Sequence, residues 1–142
     1  MFFRQRPDAR LAERRAARAG RYPGSRWGRP YTASVALAER SGFLKTGRFD
    51  EVIALCDAFA KAYPQSVRCF DFGKTPEGRP MKALAVSTAG ALTAEAARAQ
   101  DLPVMLVQGG IHSGEIDGKD AVFWLLRELL SGKVAPGVLD KQ

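Results

Sequence analysis

The chain has 142 residues, of which 46% are hydrophobic and 26% charged, as is ordinary for a globular protein with a core of its own. Its net charge of +7 is confined to one end. Residues 1–30 carry nine arginines and two acidic side chains, whereas residues 31–142 carry thirteen basic and thirteen acidic ones. The composition therefore argues against a basic globular surface that binds nucleic acid specifically. No apolar stretch in residues 1–30 is long enough for a signal peptide or a membrane span.

The chain divides into a basic arm, residues 1–30, and a neutral domain, residues 31–142. We interpret the arm as a solvated, disordered extension; a tail for anionic surfaces and a transit-like peptide are the alternatives, because the arm is rich in arginine and poor in acids. Without an export signal the literal location is cytoplasmic. A misassigned start of the chain would leave an extracytoplasmic location open.

The first predicted elements of the domain are a helix and a hairpin. Residues 49–63 have apolar side chains at helical spacing and stop before Pro64, which predicts an amphipathic helix. Two strand-like runs within residues 66–88 flank a turn with Pro76 and Gly78, which predicts an antiparallel hairpin. Arg79, beside that turn, is interpreted as structural, tying the loop to the sheet. The apolar helix positions are Val52, Leu55, Phe59 and Tyr63.

The second half of the domain also alternates between predicted helices and a predicted strand. Residues 91–101 are rich in alanine and predict a helix capped by Thr93. The continuous apolar run that includes residues 104–107 predicts a central strand covered on both faces. Residues 118–132 predict a last helix that stops at Gly132. The pattern is α/β, and we expect a mixed open sheet flanked by helices. The predicted apolar side of the last helix comprises Val122, Leu125, Leu126 and Leu129.

Three side chains outside these patterns also receive a prediction. Cys56 and Cys69 both lie in apolar surroundings, so we expect buried free thiols, with a single disulfide left open. Arg127, inside the last helix, is expected to be a solvated surface charge.

His112, the only histidine of the chain, follows the predicted central strand and precedes the last helix. In open α/β sheets, ligands bind at the carboxyl ends of strands, so the position favours a site. Glu115 lies three residues on, and glycines at 109, 110 and 114 permit a tight turn that directs both side chains the same way. Imidazole nitrogen and carboxylate oxygen are both zinc ligands, whereas a catalytic zinc takes three protein ligands and a water. His112 and Glu115 would supply two.

Two motifs at a defined separation identify a family resemblance. "GKTPEGRPMKALAVS" and "LPVMLVQGGIHSGEIDGKDAVFWLLRELL" resemble the N-terminal part of the catalytic domain of zinc carboxypeptidases, over about residues 41–132. In that family a G-x-[ST]-x-E-G-R-P segment forms a hairpin and a G-x-H-x-x-E segment carries the first two zinc ligands. The resemblance implies that His112 and Glu115 bind one Zn²⁺ and that the substrate is a peptide with a free C-terminal carboxylate.

The chain also departs from the family. The digestive members have a substrate-binding arginine directly before the glutamate, where this chain has Gly114. The resemblance places the third zinc ligand, the carboxylate-binding residues and the general-base glutamate beyond Gln142. We therefore expect a truncated zinc carboxypeptidase-type fold without a catalytic residue of its own, inactive alone. Its open sheet edge is expected to favour self-association.

Two other functions stay open. In the first, the domain is a binding or structural module without metal, in which His112 forms local hydrogen bonds and Glu115 caps the following helix. In the second, residues 1–30 bind nucleic acid; the neutral domain and the lack of a known reader motif argue against it.

Overall fold

The computed structural model describes residues 34–112 and 114–141. The basic arm, residues 1–30, lies outside the described residues. The described residues contain six helices or strands and one 3₁₀ turn: the predicted helix, hairpin, helix and last helix in that order, preceded by a short helix that was not predicted, and without the predicted strand before the last helix. They are α1 (Leu37–Arg40), α2 (Phe49–Ala62), β1 (Val67–Lys74), β2 (Pro80–Val86), α3 (Ala94–Ala99), α4 (Ile116–Leu130) and the 3₁₀ turn Val138–Lys141.

The mixed helix and strand content confirms the α/β class. The predicted hairpin is present: β1 pairs antiparallel with β2, from Val67 opposite Val86 to Lys74 opposite Pro80. The ladder is irregular between Asp71 and Gly73, where one extra residue on β1 forms a bulge. No helix among residues 34–112 and 114–141 is long and apolar enough to cross a membrane.

The core lies where α2, the hairpin and α4 meet. Phe59 of α2 is completely buried, and its ring stacks on Phe123 of α4 with centroids 6.0 Å apart. The buried cluster also contains Ala36, Leu55 and Val67. Because α2 presents its apolar positions every third or fourth residue, one side faces this core, as its sequence predicts.

The predicted central strand over residues 104–107 is wrong. Within the described part of the chain only β1 and β2 are strands, and they pair with each other. The run is instead exposed, at 78% for Val104, 69% for Met105, 83% for Leu106 and 57% for Val107. Apolar composition predicts a tendency toward burial, but a strand also needs a neighbouring strand for its N–H and C=O groups. The observed sheet is therefore a two-stranded antiparallel one, in place of the expected mixed sheet.

The expectation of free thiols is also wrong. Cys56 of α2 and Cys69 of β1 form a disulfide, with their Cα atoms 5.5 Å apart. The two cysteines are 13 positions apart, and the segment between them includes the end of the helix and the turn into the strand. Packing α2 on the hairpin brings the two side chains together, and neither cysteine's local sequence carries that information.

Arg127 is buried in α4, contrary to the prediction of a surface charge. Its side chain is 0% exposed, and Nη1 lies 2.6 Å from Glu39 Oε1 and 3.2 Å from the Ser34 carbonyl oxygen. Nη2 makes a second ion-pair contact with Glu39 Oε2. One turn separates Arg127 from Phe123, so both lie on the same side of the helix. The buried side is consequently rotated from the predicted one, and Leu125 is 41% exposed.

Candidate metal centre

His112 and Glu115 lie in the turn that leads into α4, and their side chains meet. Nδ1 of His112 is 2.8 Å from Oε1 of Glu115. The His112 backbone N–H donates to Glu115 Oε2 at 3.1 Å, and the Glu115 backbone N–H donates to the His112 carbonyl at 3.2 Å. The turn is thus closed by both backbone and side-chain hydrogen bonds. It places an imidazole nitrogen and a carboxylate oxygen side by side.

The glycines before His112 pack the turn against the first residues of α4. A Cβ atom on Gly109 would lie 2.7 Å from the carbonyl carbon of Gly118, closer than carbon atoms approach in proteins. Gly110 has φ of 68° and Gly114 has φ of 89°, in the left-handed region that glycine adopts without steric cost. The sequence prediction of a tight, glycine-dependent turn is therefore confirmed at the level of the backbone.

The carboxylate of Glu115 forms hydrogen bonds with His112 and does not cap helix α4. Glu115 is the residue that precedes α4, yet its side chain makes no hydrogen bond to a helix N–H. The helix cap proposed for the non-catalytic alternative is thus not formed. The side-chain and backbone hydrogen bonds from His112 lower the pKa of Glu115 below its usual value. The group is therefore ionised at neutral pH, which is the form that binds metal ions.

The donor pair fits zinc. Zinc ligands of these types lie at about 2.0–2.2 Å from the metal, which for tetrahedral geometry sets the two ligand atoms about 3.3 Å apart. Nδ1 and Oε1 are 2.8 Å apart, so the two atoms would have to move apart by about 0.5 Å to bind zinc together. The side chains are 77% and 55% exposed and have room for that shift. Among the described residues no three His, Cys, Asp or Glu side chains come close enough to hold a metal together.

An ion cluster next to the turn was missed by the sequence analysis. Lys119 of α4 lies with Nζ 3.4 Å from Oε2 of Glu51 in α2, and it also pairs with the adjacent Asp120. Thr46 donates from Oγ1 to Asp120 Oδ2 at 2.7 Å. The contacts of Lys119 with Glu51 and of Thr46 with Asp120 join residues 68 and 74 positions apart, so no local pattern could have indicated them.

Arg79 was predicted to tie the loop to the sheet; its backbone closes the hairpin turn, whereas its guanidinium contacts a helix. Its backbone carbonyl accepts from the Thr75 N–H at 2.9 Å across the hairpin turn. The guanidinium carbon lies 5.6 Å from the ring centroid of Phe49, the first residue of α2. Arg79 therefore links the hairpin to α2.

Comparison with known proteins places these features in a family. Residues 52–136, more than half of the chain, match the family described as zinc carboxypeptidase. Carboxypeptidase B of Astacus astacus is 32% identical over 83 residues, which is 58% of this chain and 24% of that relative. The chain thus spans about a quarter of the length of this curated relative. No solved structure matches it. The chain belongs to the zinc carboxypeptidase family.

Proposed function

We propose that His112 and Glu115 are two protein ligands of one catalytic Zn²⁺ in a metallocarboxypeptidase that acts on peptides with a free C-terminal carboxylate. The observation that carries the proposal is the 2.8 Å approach of Nδ1 to Oε1 within a turn that the family match includes. When bound, zinc lowers the pKa of its water and polarises the peptide carbonyl. The hydrogen bonds from His112 favour the ionised, ligand form of Glu115, and zinc binding at Nδ1 would release the proton that Nδ1 donates to this carboxylate.

In this proposal the 142 residues alone do not hydrolyse peptides. A catalytic zinc site uses three protein ligands, and His112 is the only histidine of the sequence. Hydrolysis also needs a base that takes the proton of the attacking water and transfers it to the leaving amine. We propose that residues 31–142 supply part of the metal site. The acid–base steps are then carried out by residues other than His112 and Glu115. Residues 1–30 are proposed to be a basic arm without a role in the site.

The zinc proposal can be tested with the single histidine as its reporter. In ¹⁵N-imidazole NMR spectra every signal belongs to His112, so a zinc titration should shift Nδ1, the nitrogen that faces Glu115. His112→Ala should abolish binding, and Glu115→Gln should weaken it at least tenfold. Glu95→Gln, at an exposed position of α3, is the matched control that removes one carboxylate charge and should leave the affinity unchanged.

Two results would contradict the proposal. The first is an imidazole spectrum that does not respond to zinc at millimolar concentration, which would favour the metal-free structural module. The second is binding that survives Glu115→Gln with full affinity. Release of C-terminal residues from peptides by the 142-residue chain would contradict only the inactivity of this chain alone.

We further propose that the exposed run of residues 104–107 mediates self-association. Four consecutive apolar side chains are each more than half exposed, and no charged side chain lies between Asp101 and His112. Uncharged β-prone segments of this kind pair readily with one another, because each offers unpaired backbone groups and an apolar surface. Weak, concentration-dependent association is the expected behaviour.

A further inference from the structure

The start of α4 carries two features that act on the same turn. The backbone of Gly109, three residues before His112, rests on the backbone of Gly118; a Cβ on Gly118 would lie 3.3 Å from Gly109 Cα. The neighbouring Gly110 packs against the next residue of the helix, since its own Cβ would lie 3.8 Å from Lys119 Cβ. Gly118 and Lys119 are thus residues of α4 against which these two glycines pack.

Lys119 holds this part of α4 against α2. Its ammonium lies between the carboxylates of Glu51 and Asp120, and all three side chains are at most 16% exposed. Each carboxylate has a further donor on its other oxygen: the Leu37 backbone N–H is 2.5 Å from Glu51 Oε1, and the Thr46 hydroxyl is 2.7 Å from Asp120 Oδ2. The cluster joins the first turns of α2 and α4, and partly buried charges in such a network are well ordered when all are paired.

We propose that Gly118 and Lys119 are positioning residues for the metal centre. The Lys119 cluster fixes the first turn of α4 on α2, and Gly118 lets the chain at Gly109 approach so closely that the turn closes with Nδ1 of His112 facing Oε1 of Glu115. The inference rests on the zinc function proposed above. Zinc affinity then depends also on residues that do not touch the metal.

Preorganisation of the two ligands is the physical reason for the expected effect. Glu115 precedes α4 directly, so its position follows the start of the helix, whereas His112 follows the exposed segment that ends in Gly109 and Gly110. The two ligands therefore sit on the two pieces of backbone that Gly109 and Gly118 hold together. A shift between these pieces leaves the two ligands no longer fixed relative to each other, and zinc binding must then order them at the expense of affinity.

The test measures zinc affinity through the His112 imidazole shift in the full chain. Gly118→Ala should force the two backbones apart by a few tenths of an ångström, and Lys119→Met should leave two carboxylates facing each other without the ammonium. Each change is expected to weaken zinc binding about tenfold, as is typical of residues that orient metal ligands. Lys119→Arg should restore at least half of the loss on a logarithmic scale, because it returns the charge to the cluster.

Matched controls separate positioning from general stability. Gly73→Ala in β1 meets only the flexible end of Met81, at 2.8 Å, and Lys82→Met removes the 2.8 Å ion pair with Asp71 on the hairpin. Both lie on the hairpin and should leave the zinc affinity within twofold of the wild type, whatever they do to the free energy of unfolding. That free energy is measured for every variant by urea titration.

The outcomes are distinguishable. If the wild-type chain does not bind zinc, the proposed function fails. If the wild type binds and both Gly118→Ala and Lys119→Met bind equally well, the zinc function stands and the positioning role is overturned. If the two hairpin controls weaken zinc binding as much as Gly118→Ala and Lys119→Met do, the effect is one of general stability and the positioning role is likewise overturned.

Discussion

Arg127 and Glu39 form a buried ion pair between helices α4 and α1, 88 residues apart in the sequence, with Nη1 and Oε1 at 2.6 Å. Both side chains are at most 1% exposed. Glu39 also accepts from the Ala36 backbone N–H at 3.2 Å, and Arg127 donates to the Ser34 carbonyl, so the pair is embedded in further hydrogen bonds. It attaches the first described residues to the helix that follows the candidate metal centre.

Removing one partner of this pair should be strongly destabilising. Arg127→Met leaves the Glu39 carboxylate buried without its countercharge, and we expect a loss of about 3–5 kcal/mol in the free energy of unfolding. The double variant Arg127→Met, Glu39→Leu should recover much of that loss, because neither charge is then buried alone. Urea titration of both variants measures the coupling.

Arg68→Met serves as the control for the pair. Arg68 is exposed on β1, with its guanidinium 5.3 Å from the ring centroid of Phe70, and its loss should cost no more than about 1 kcal/mol. A small effect of Arg127→Met, similar to that of Arg68→Met, would show that Arg127 is not buried in solution.

The disulfide should stabilise the contact between α2 and the hairpin. The disulfide joins residues 13 positions apart and so lowers the conformational entropy of the unfolded chain. In the loop-entropy description this raises the free energy of unfolding by about 3 kcal/mol. The double variant Cys56→Ala, Cys69→Ala should lose about that amount, and a reducing agent should destabilise the wild type but not this variant. Thiol titration of the denatured, oxidised protein should find none; two reactive thiols would contradict the disulfide.

The exposed apolar run should be responsible for self-association. We expect the wild-type sedimentation coefficient to rise with protein concentration and Leu106→Lys to reduce this rise, since a charge in the middle of the run opposes pairing of two copies. Phe72→Lys is the matched control, because Phe72 is 60% exposed on the hairpin and lies outside the run. Equal effects of the two lysines would point to general solubility instead.

The cap of α3 offers a local test of the structure. The Thr93 hydroxyl oxygen accepts from the Ala96 N–H at 3.1 Å. Thr93→Ala should therefore cost about 1 kcal/mol, whereas Thr93→Ser keeps the hydroxyl and should cost less. Thermal or urea denaturation of both variants decides the matter, and an unaffected Thr93→Ala would argue against the cap.

Features that depend on neighbouring residues were predictable from the sequence alone. The spacing of Leu55 and Phe59 predicted α2, the turn at Gly78 predicted the hairpin, and Thr93 predicted the start of α3; all three predictions are confirmed. The approach of His112 to Glu115 also depends on neighbouring residues only. The two residues are three positions apart, and the glycines around them permit the tight turn, so local geometry is sufficient to bring the side chains together.

Contacts between distant residues were decided by the tertiary structure. A cysteine in α2 and one in β1 become a disulfide only because the helix packs on the hairpin, and Arg127 is buried only because Glu39 arrives from 88 residues away. The same reason explains the exposed residues 104–107: their apolar sequence favours burial, but a strand forms only where another strand supplies hydrogen bonds. The Lys119 cluster, assembled from three segments, is likewise a product of packing, because ion pairs follow from the positions of helices and no local pattern records them.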